Sequence, residues 1–164
     1  MVSLLTVIVL SLSIIQAASF KRNIIHLCEA RYTERQCSAS ISSPSLRLCE
    51  NLKLNLTDTN TSTGCTSVKL FWHYPINNLT ITITTPFTST KQAYQLSFNN
   101  EELQLAILHV YRIVNGEKTE VTTTNQTLVQ DSDENYQVIL KFQAAPKLFA
   151  FGVNIDYTVV ATQA

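Results

Sequence analysis

Apolar and polar residues alternate without a break along Asn78-Leu79-Thr80-Ile81-Thr82-Ile83-Thr84. Leu79, Ile81 and Ile83 share one face of an extended chain, and Asn78, Thr80, Thr82 and Thr84 share the other. A two-residue period built largely from β-branched side chains marks a strand with one buried and one wet side. The pattern recurs. Leu52, Leu54 and Leu56 alternate with Lys53 and Asn55, and Val68, Leu70, Trp72 and Tyr74 form an inward set that stops at Pro75. Tyr94, Leu96 and Phe98 repeat it, as do Tyr136, Val138, Leu140 and Phe142. Phe149, Phe151, Val153, Ile155, Tyr157 and Val159 predict a final strand, the longest of all.

The segments between these sets read mostly as turns. Asn115-Gly116 is a strong short hairpin signal, and Lys118 to Thr122 follows it directly as a strand. That signal decides how to read Leu103 to Val114, which is apolar on both parities. A central strand is favoured over a helix capped by Asn100 with Glu101 and Glu102 in its first turn. Asp131-Ser132-Asp133-Glu134-Asn135 predicts an acidic turn, and the serine-rich Cys37 to Ser45, with Pro44, an irregular connection. Asn23 to Gln36 leaves room for a short helix, because Ile24, Leu27, Cys28 and Arg31 fall at helical spacing behind a capping Asn23. About eight strands at roughly ten-residue spacing predict an all-β fold, an antiparallel β-sandwich or jelly roll.

Composition then narrows the environment. A chain of 164 residues suits one domain, and its 12 Lys plus Arg balance 12 Asp plus Glu. No net field draws it to nucleic acid or to an anionic membrane. Leu4 to Ile15 is an apolar run too short to span a bilayer, and Ala17-Ala18-Ser19 supplies the small residues of a cleavage site. Residues 1–19 therefore read as a signal peptide, and the mature protein as secreted, extracellular and without membrane insertion. Cys28, Cys37, Cys49 and Cys65 all fall early in the mature chain. An even count in an exported protein predicts two disulfides, and no Cys-x-x-Cys spacing suggests zinc instead. Four cysteines allow three pairings, among which spacing does not choose. The chain thus divides into the leader 1–19, a disulfide-bonded segment 20–65 packed on the sandwich, and a sandwich core 66–164. Asn55, Asn60, Asn78 and Asn125 each begin an Asn-x-Ser/Thr glycan acceptor, and Asn55 and Asn78 have the parity of a wet strand face.

Short strands, an acidic turn before a Tyr-led strand and an aromatic last strand fill Val68 to Val160. This succession resembles extracellular jelly-roll modules of the CUB or galactose-binding kind. The likeness is one of pattern and carries no functional residue across. The cysteines depart from the CUB arrangement, in which the bridges lie within the sandwich itself.

Candidate chemistry is sparse. His26, His73 and His109 match no His-Glu-x-x-His motif and lie at no zinc spacing from a cysteine, and no Gly-x-Ser-x-Gly elbow is present. Asp131, Asp133 and Glu134 lack the glycine and the later glutamate of a calcium loop. Paired carboxylates such as Asp156 and Glu120 would have to meet through space. No catalytic residue, metal or cofactor is predicted. Phe71-Trp72-His73-Tyr74 is the densest aromatic cluster and holds the sole Trp. With Trp72 and Tyr74 turned inward, Phe71 and His73 would form an outward recognition patch, for example a platform on which a sugar stacks. The function read from these signals is non-covalent binding of an extracellular protein or glycan by a secreted, N-glycosylated β-domain. A structural matrix glycoprotein and a secreted enzyme or enzyme inhibitor are the competing classes, and the pattern leaves oligomeric state open.

Overall fold

A computed structural model describes residues 28, 30–35, 37–43, 49–56, 65–84, 91–121, 126–145 and 151–162. The predicted signal peptide 1–19, His26, Phe149 and the acceptors Asn60 and Asn125 lie outside the described residues. The strands are β1 (Arg31–Arg35), β2 (Ser38–Ser42), β3 (Asn51–Leu56), β4 (Ser67–His73), β5 (Asn78–Thr84) and β6 (Tyr94–Asn99). A short helix, α1 (Asn100–Ala106), leads into β7 (Ile107–Val114) and β8 (Glu117–Glu120). β9 (Thr127–Asp131), β10 (Gln137–Ala144), β11 (Gly152–Asn154) and β12 (Tyr157–Ala161) complete the order.

The strands form two facing sheets. The first runs β1-β2-β4-β12-β6-β9, with β11 also beside β4, and the second runs β3-β5-β10-β7-β8. Both are mixed: β2 pairs with β4 and β3 with β5 in parallel, whereas every other ladder is antiparallel. The alternation sends one side chain in two to a shared interior. Leu52, Leu54 and Leu56 of β3, Leu79, Ile81 and Ile83 of β5, and Val138, Leu140 and Phe142 of β10 are all buried. Opposite them lie Val68, Leu70 and Trp72 of β4, Tyr94, Leu96 and Phe98 of β6, and Tyr157 and Val159 of β12. The layers touch directly: the Phe98 ring lies 6.2 Å from that of Phe142, and the Tyr94 hydroxyl donates to the Ile83 carbonyl at 2.8 Å. At about 25 cal/mol per Å² of apolar surface removed from water, this interior is the main stabilising term.

The bridges are Cys28–Cys49 and Cys37–Cys65, with Cα separations of 5.2 and 5.6 Å. Cys37–Cys65 joins the β1–β2 turn to the entry of β4, where the Lys69 N–H donates to the Cys37 carbonyl at 3.0 Å. Cys28–Cys49 binds the approach to β1 to the approach to β3. The Ala30 N–H donates to Lys53 O, and the Lys53 N–H to Cys28 O. The chain therefore follows the edge of the second sheet before crossing to start the first.

Several local expectations are corrected. Arg31–Arg35 is a strand rather than part of a helix, because it pairs antiparallel with β2. Ser38–Ser42 is a strand rather than an irregular connection, since Ala39 and Ile41 fill inward positions between serines. Leu103 to Val114 is not one strand. Asn99 caps α1 by accepting from the Glu101 N–H at 3.1 Å, and only at Ile107 does the chain extend, so the helical and strand readings each hold for part of the segment. Tyr74 does not continue the β4 inward set: its backbone turns to φ +47°, and the ring is 52% exposed. Phe151, expected inside, precedes β11 and is 83% exposed. The last strand is interrupted at Ile155-Asp156, although the Ile155 N–H still donates to Leu70 O at 2.7 Å. Asn115 (φ +51°) and Gly116 (φ +84°) adopt the left-handed pair that the hairpin signal anticipates. Among the described residues, no helix is long and apolar enough to cross a membrane.

Candidate functional site

β2, β4 and the β11–β12 line lie side by side in the first sheet, and their outward residues form a small lattice. Parallel register sets Ser38 beside Lys69 and Ser40 beside Phe71. On the other flank of β4, Asn154 pairs with Phe71 and Gly152 with His73. The Tyr157–Val68 pair continues the same register, which places Asp156 opposite Lys69. A shallow cavity of about 560 Å³ opens over this lattice, lined by side chains of Ser38, Ser40, Lys69, Phe71, Asn154 and Asp156. The cavity exists because the β2 contribution is serine throughout while the aromatic ring leans away from it.

Gly152 explains that lean. A Cβ at Gly152 would meet the Phe71 ring at 2.2, 2.6 and 2.9 Å, so the ring occupies the space a side chain would need. His73 closes the aromatic wall edge-on, with its ring centroid 4.6 Å from that of Phe71 and the planes 85° apart. Ser40 Oγ and His73 Nε2 are hydrogen-bonded at 2.6 Å and fix the imidazole. Beyond the strand end, the Tyr74 N–H donates to Phe151 O and the two rings stand 6.3 Å apart, extending the aromatic surface past the cavity. Of the four residues singled out in the sequence, Phe71, His73 and Tyr74 reach this face. Trp72 is 1% exposed and belongs to the core.

Ser40 and His73 invite comparison with a nucleophile and its base. Acyl transfer also needs backbone or side-chain donors for an oxyanion and a group to orient the base. The N–H groups of β2 are shared between ladders to β1 and β4, and among the described residues no carboxylate hydrogen-bonds to His73. The pair is a fixed wall of the groove.

The remaining candidates lie elsewhere. Asp156 and Glu120 do not meet: Asp156 is outward on the first sheet, and Glu120 is outward on the second, where Oε1 lies 2.6 Å from His109 Nδ1. Beside that pair, Lys118 Nζ sits 3.4 Å above the Tyr111 ring. In the acidic turn, Asp133 Oδ1 accepts from the Asn135 and Gln137 N–H groups at 2.9 and 3.0 Å. That bonding shapes the turn. Arg112, at 8% exposure the one buried charged residue described, donates from Nη2 to Asp131 O and Gln137 O at 3.0 and 3.2 Å. Burial lowers its pKa and Asp133 opposes the shift, so the guanidinium stays charged and fastens the turn to the sandwich. Among the described residues, no group of three His, Cys, Asp or Glu is placed to hold a metal.

Asn55 and Asn78 both face outward on the second sheet, on adjacent parallel strands. Asn55 is exposed, and Asn78 Nδ2 donates to Glu50 O at 3.0 Å.

Fold and face together define a disulfide-bonded β-sandwich with a polar groove walled by aromatic rings. No protein-family model matches the chain, and no curated protein matches it. Among solved structures it is similar to the CUB1-EGF-CUB2 domains of rat MASP-1, at 16% identity and a TM-score of 0.38 over 70% of this chain. The chain spans 43% of that chain's length, and a likeness of this extent bears on neither site nor function.

Proposed function

We propose that the protein is a secreted, N-glycosylated binding module that takes an extracellular protein or glycan on the outer face of its first sheet. It does so without cofactor or catalysis. The supporting observation is the groove itself: an open cavity over β2 and β4, interior strands of their sheet, lined by groups that recognise rather than react. Glycans on Asn55 and Asn78 would cover the opposite sheet.

Two measurements test the proposal. Protein secreted from eukaryotic cells should begin near Phe20, and Asn55→Gln and Asn78→Gln should each remove one glycan step in gel mobility. Immobilised wild-type protein should capture a saturable ligand from extracellular fluid that Phe71→Ala and His73→Ala both lose. Ligand capture indifferent to both substitutions, or hydrolysis of a broad substrate panel that requires Ser40, would refute it.

A further inference from the structure

We infer that the ligand of this groove is an uncharged oligosaccharide, seated against Phe71 and hydrogen-bonded to Lys69, Asn154 and Asp156. The inference rests on the binding role just proposed and adds the chemical class of what is bound.

The first argument concerns the backbone. β2 and β4, which supply Ser38, Ser40, Lys69 and Phe71, are interior strands: β2 lies between β1 and β4, and β4 between β2 and the β11–β12 line. An extended peptide is normally read through free N–H and C=O groups at a sheet edge. On β2 and β4 those groups are committed to ladders, so a peptide lying over them would leave its own amides unmatched. A ligand seated over β2 and β4 is read by side chains.

The second argument concerns what those side chains offer. Lys69 donates only, an ionised Asp156 accepts only, and the Asn154 amide and the hydroxyls of Ser38 and Ser40 do both. Sugar hydroxyls also do both, so vicinal pairs can accept from the ammonium or amide and donate to the carboxylate. The wall completes the match. One flank of the Phe71 ring lines the cavity, and the apolar C–H face of a pyranose is the part of a sugar that stacks on an aromatic ring.

Charge then narrows the class. Among the described side chains that line the cavity, one cation faces one anion, Lys69 against Asp156. A sulfated or sialylated sugar would bring its anion beside Asp156, and a cationic ligand would bring its charge beside Lys69. The volume of about 560 Å³ lies within the roughly 300–1,000 Å³ typical of small-ligand sites. A protein epitope needs about 800 Å² per partner and would have to spread well past the groove.

The test uses the full secreted protein on a printed panel of neutral mono- to tetrasaccharides with sialylated and sulfated counterparts, followed by calorimetric titration of the hits. Saturable binding of neutral oligosaccharides is expected, insensitive to added salt. Phe71→Ala or Asp156→Asn should weaken it at least tenfold, the loss expected when one stacking or charge-assisted contact is removed. Ser38→Tyr, which fills the groove from an outward position without touching the core, should abolish it while the melting temperature holds; this variant remains informative if Asp156→Asn fails to fold. Binding confined to the charged sugars overturns the inference. So does neutral-sugar binding unaffected by Ser38→Tyr. If no sugar binds but a protein is captured in a Phe71-dependent way, the glycan inference falls and the binding role stands. If neither binds, both fall.

Discussion

Gly152→Ala is a small change with a calculable and sign-reversing effect. In most strand positions, replacing Gly by Ala stabilises a protein by about 0.4–1 kcal/mol, because the unfolded chain loses freedom. At Gly152 the new methyl would stand 2.2 Å from Phe71 Cζ, whereas carbon atoms rest at about 3.5–4.0 Å, so the ring must retreat by more than an ångström. Ring movement exposes part of a half-buried phenyl, at about 1–2 kcal/mol, and breaks the edge contact with His73, worth about 0.5–1.5 kcal/mol. Set against the chain-entropy gain, the net effect is a destabilisation of about 1–2 kcal/mol. In a Phe71→Ala background the obstructing ring is gone, and the same substitution should stabilise by about 0.4–1 kcal/mol. Urea unfolding of the four members of the cycle measures both, with a coupling of about 2 kcal/mol. Equal effects in the two backgrounds, or a stabilising Gly152→Ala with Phe71 present, would refute the account of the aromatic wall.

Three further outcomes follow from the interior and the bridges. Tyr157 and Tyr94 are both buried, but the Tyr94 hydroxyl has the Ile83 carbonyl, while that of Tyr157 has no hydrogen-bond partner among the described residues. Tyr157→Phe should therefore raise stability by about 1 kcal/mol, and Tyr94→Phe should lower it by a similar amount, as measured by thermal melting. Burial, reinforced for Tyr157 by Tyr94, pushes both phenol pKa values above the ordinary value of about 10. The folded state then keeps protons that the unfolded state releases, so the contribution of these two phenols is constant below about pH 10 and stability falls as pH rises beyond it. Tyr157→Phe should shallow that fall, and an unchanged alkaline slope would contradict the assignment. The bridges enclose 21 and 28 residues, which the chain-entropy relation converts to about 3–4 kcal/mol each. Replacing Cys37 and Cys65 together by Ala should lower the unfolding free energy by that amount; a loss below about 1 kcal/mol would mean the bridge constrains little.

Burial was most legible where a strand has one wet face. Leu52, Leu54, Leu56, Leu79, Ile81, Ile83, Val138, Leu140 and Phe142 alternate with polar residues in the sequence and are buried in the fold, because the period of side chains on a strand is two. The Asn115-Gly116 hairpin was legible because positive φ at both positions restricts the residues used. Local pattern failed at junctions. Asn100 to Ala106 is helical although its apolar residues suit either period, and the capping bond from Asn99 settled it. Tyr74 kept the inward parity but left the strand through a left-handed residue. The groove was half-visible: Lys69, Phe71 and His73 share a parity on one strand, and Asn154 and Asp156 share one on another. Their juxtaposition with Ser38 and Ser40 depends on the parallel pairing of β2 with β4, a contact between distant segments that no local periodicity encodes.

Those parallel pairs also order the birth of the molecule. β2 and β3 leave the ribosome well before β4 and β5, the strands they must lie against, and a neighbour in sequence cannot substitute because same-direction pairing requires a crossover. Each must wait through a long loop closure, the slow kind of step in sheet assembly. In that interval their unmatched edges are open to other nascent chains. Oxidation of Cys37 with Cys65 shortens the wait by delivering the start of β4 to the start of β2. Closing that bridge therefore also helps this chain to find its register.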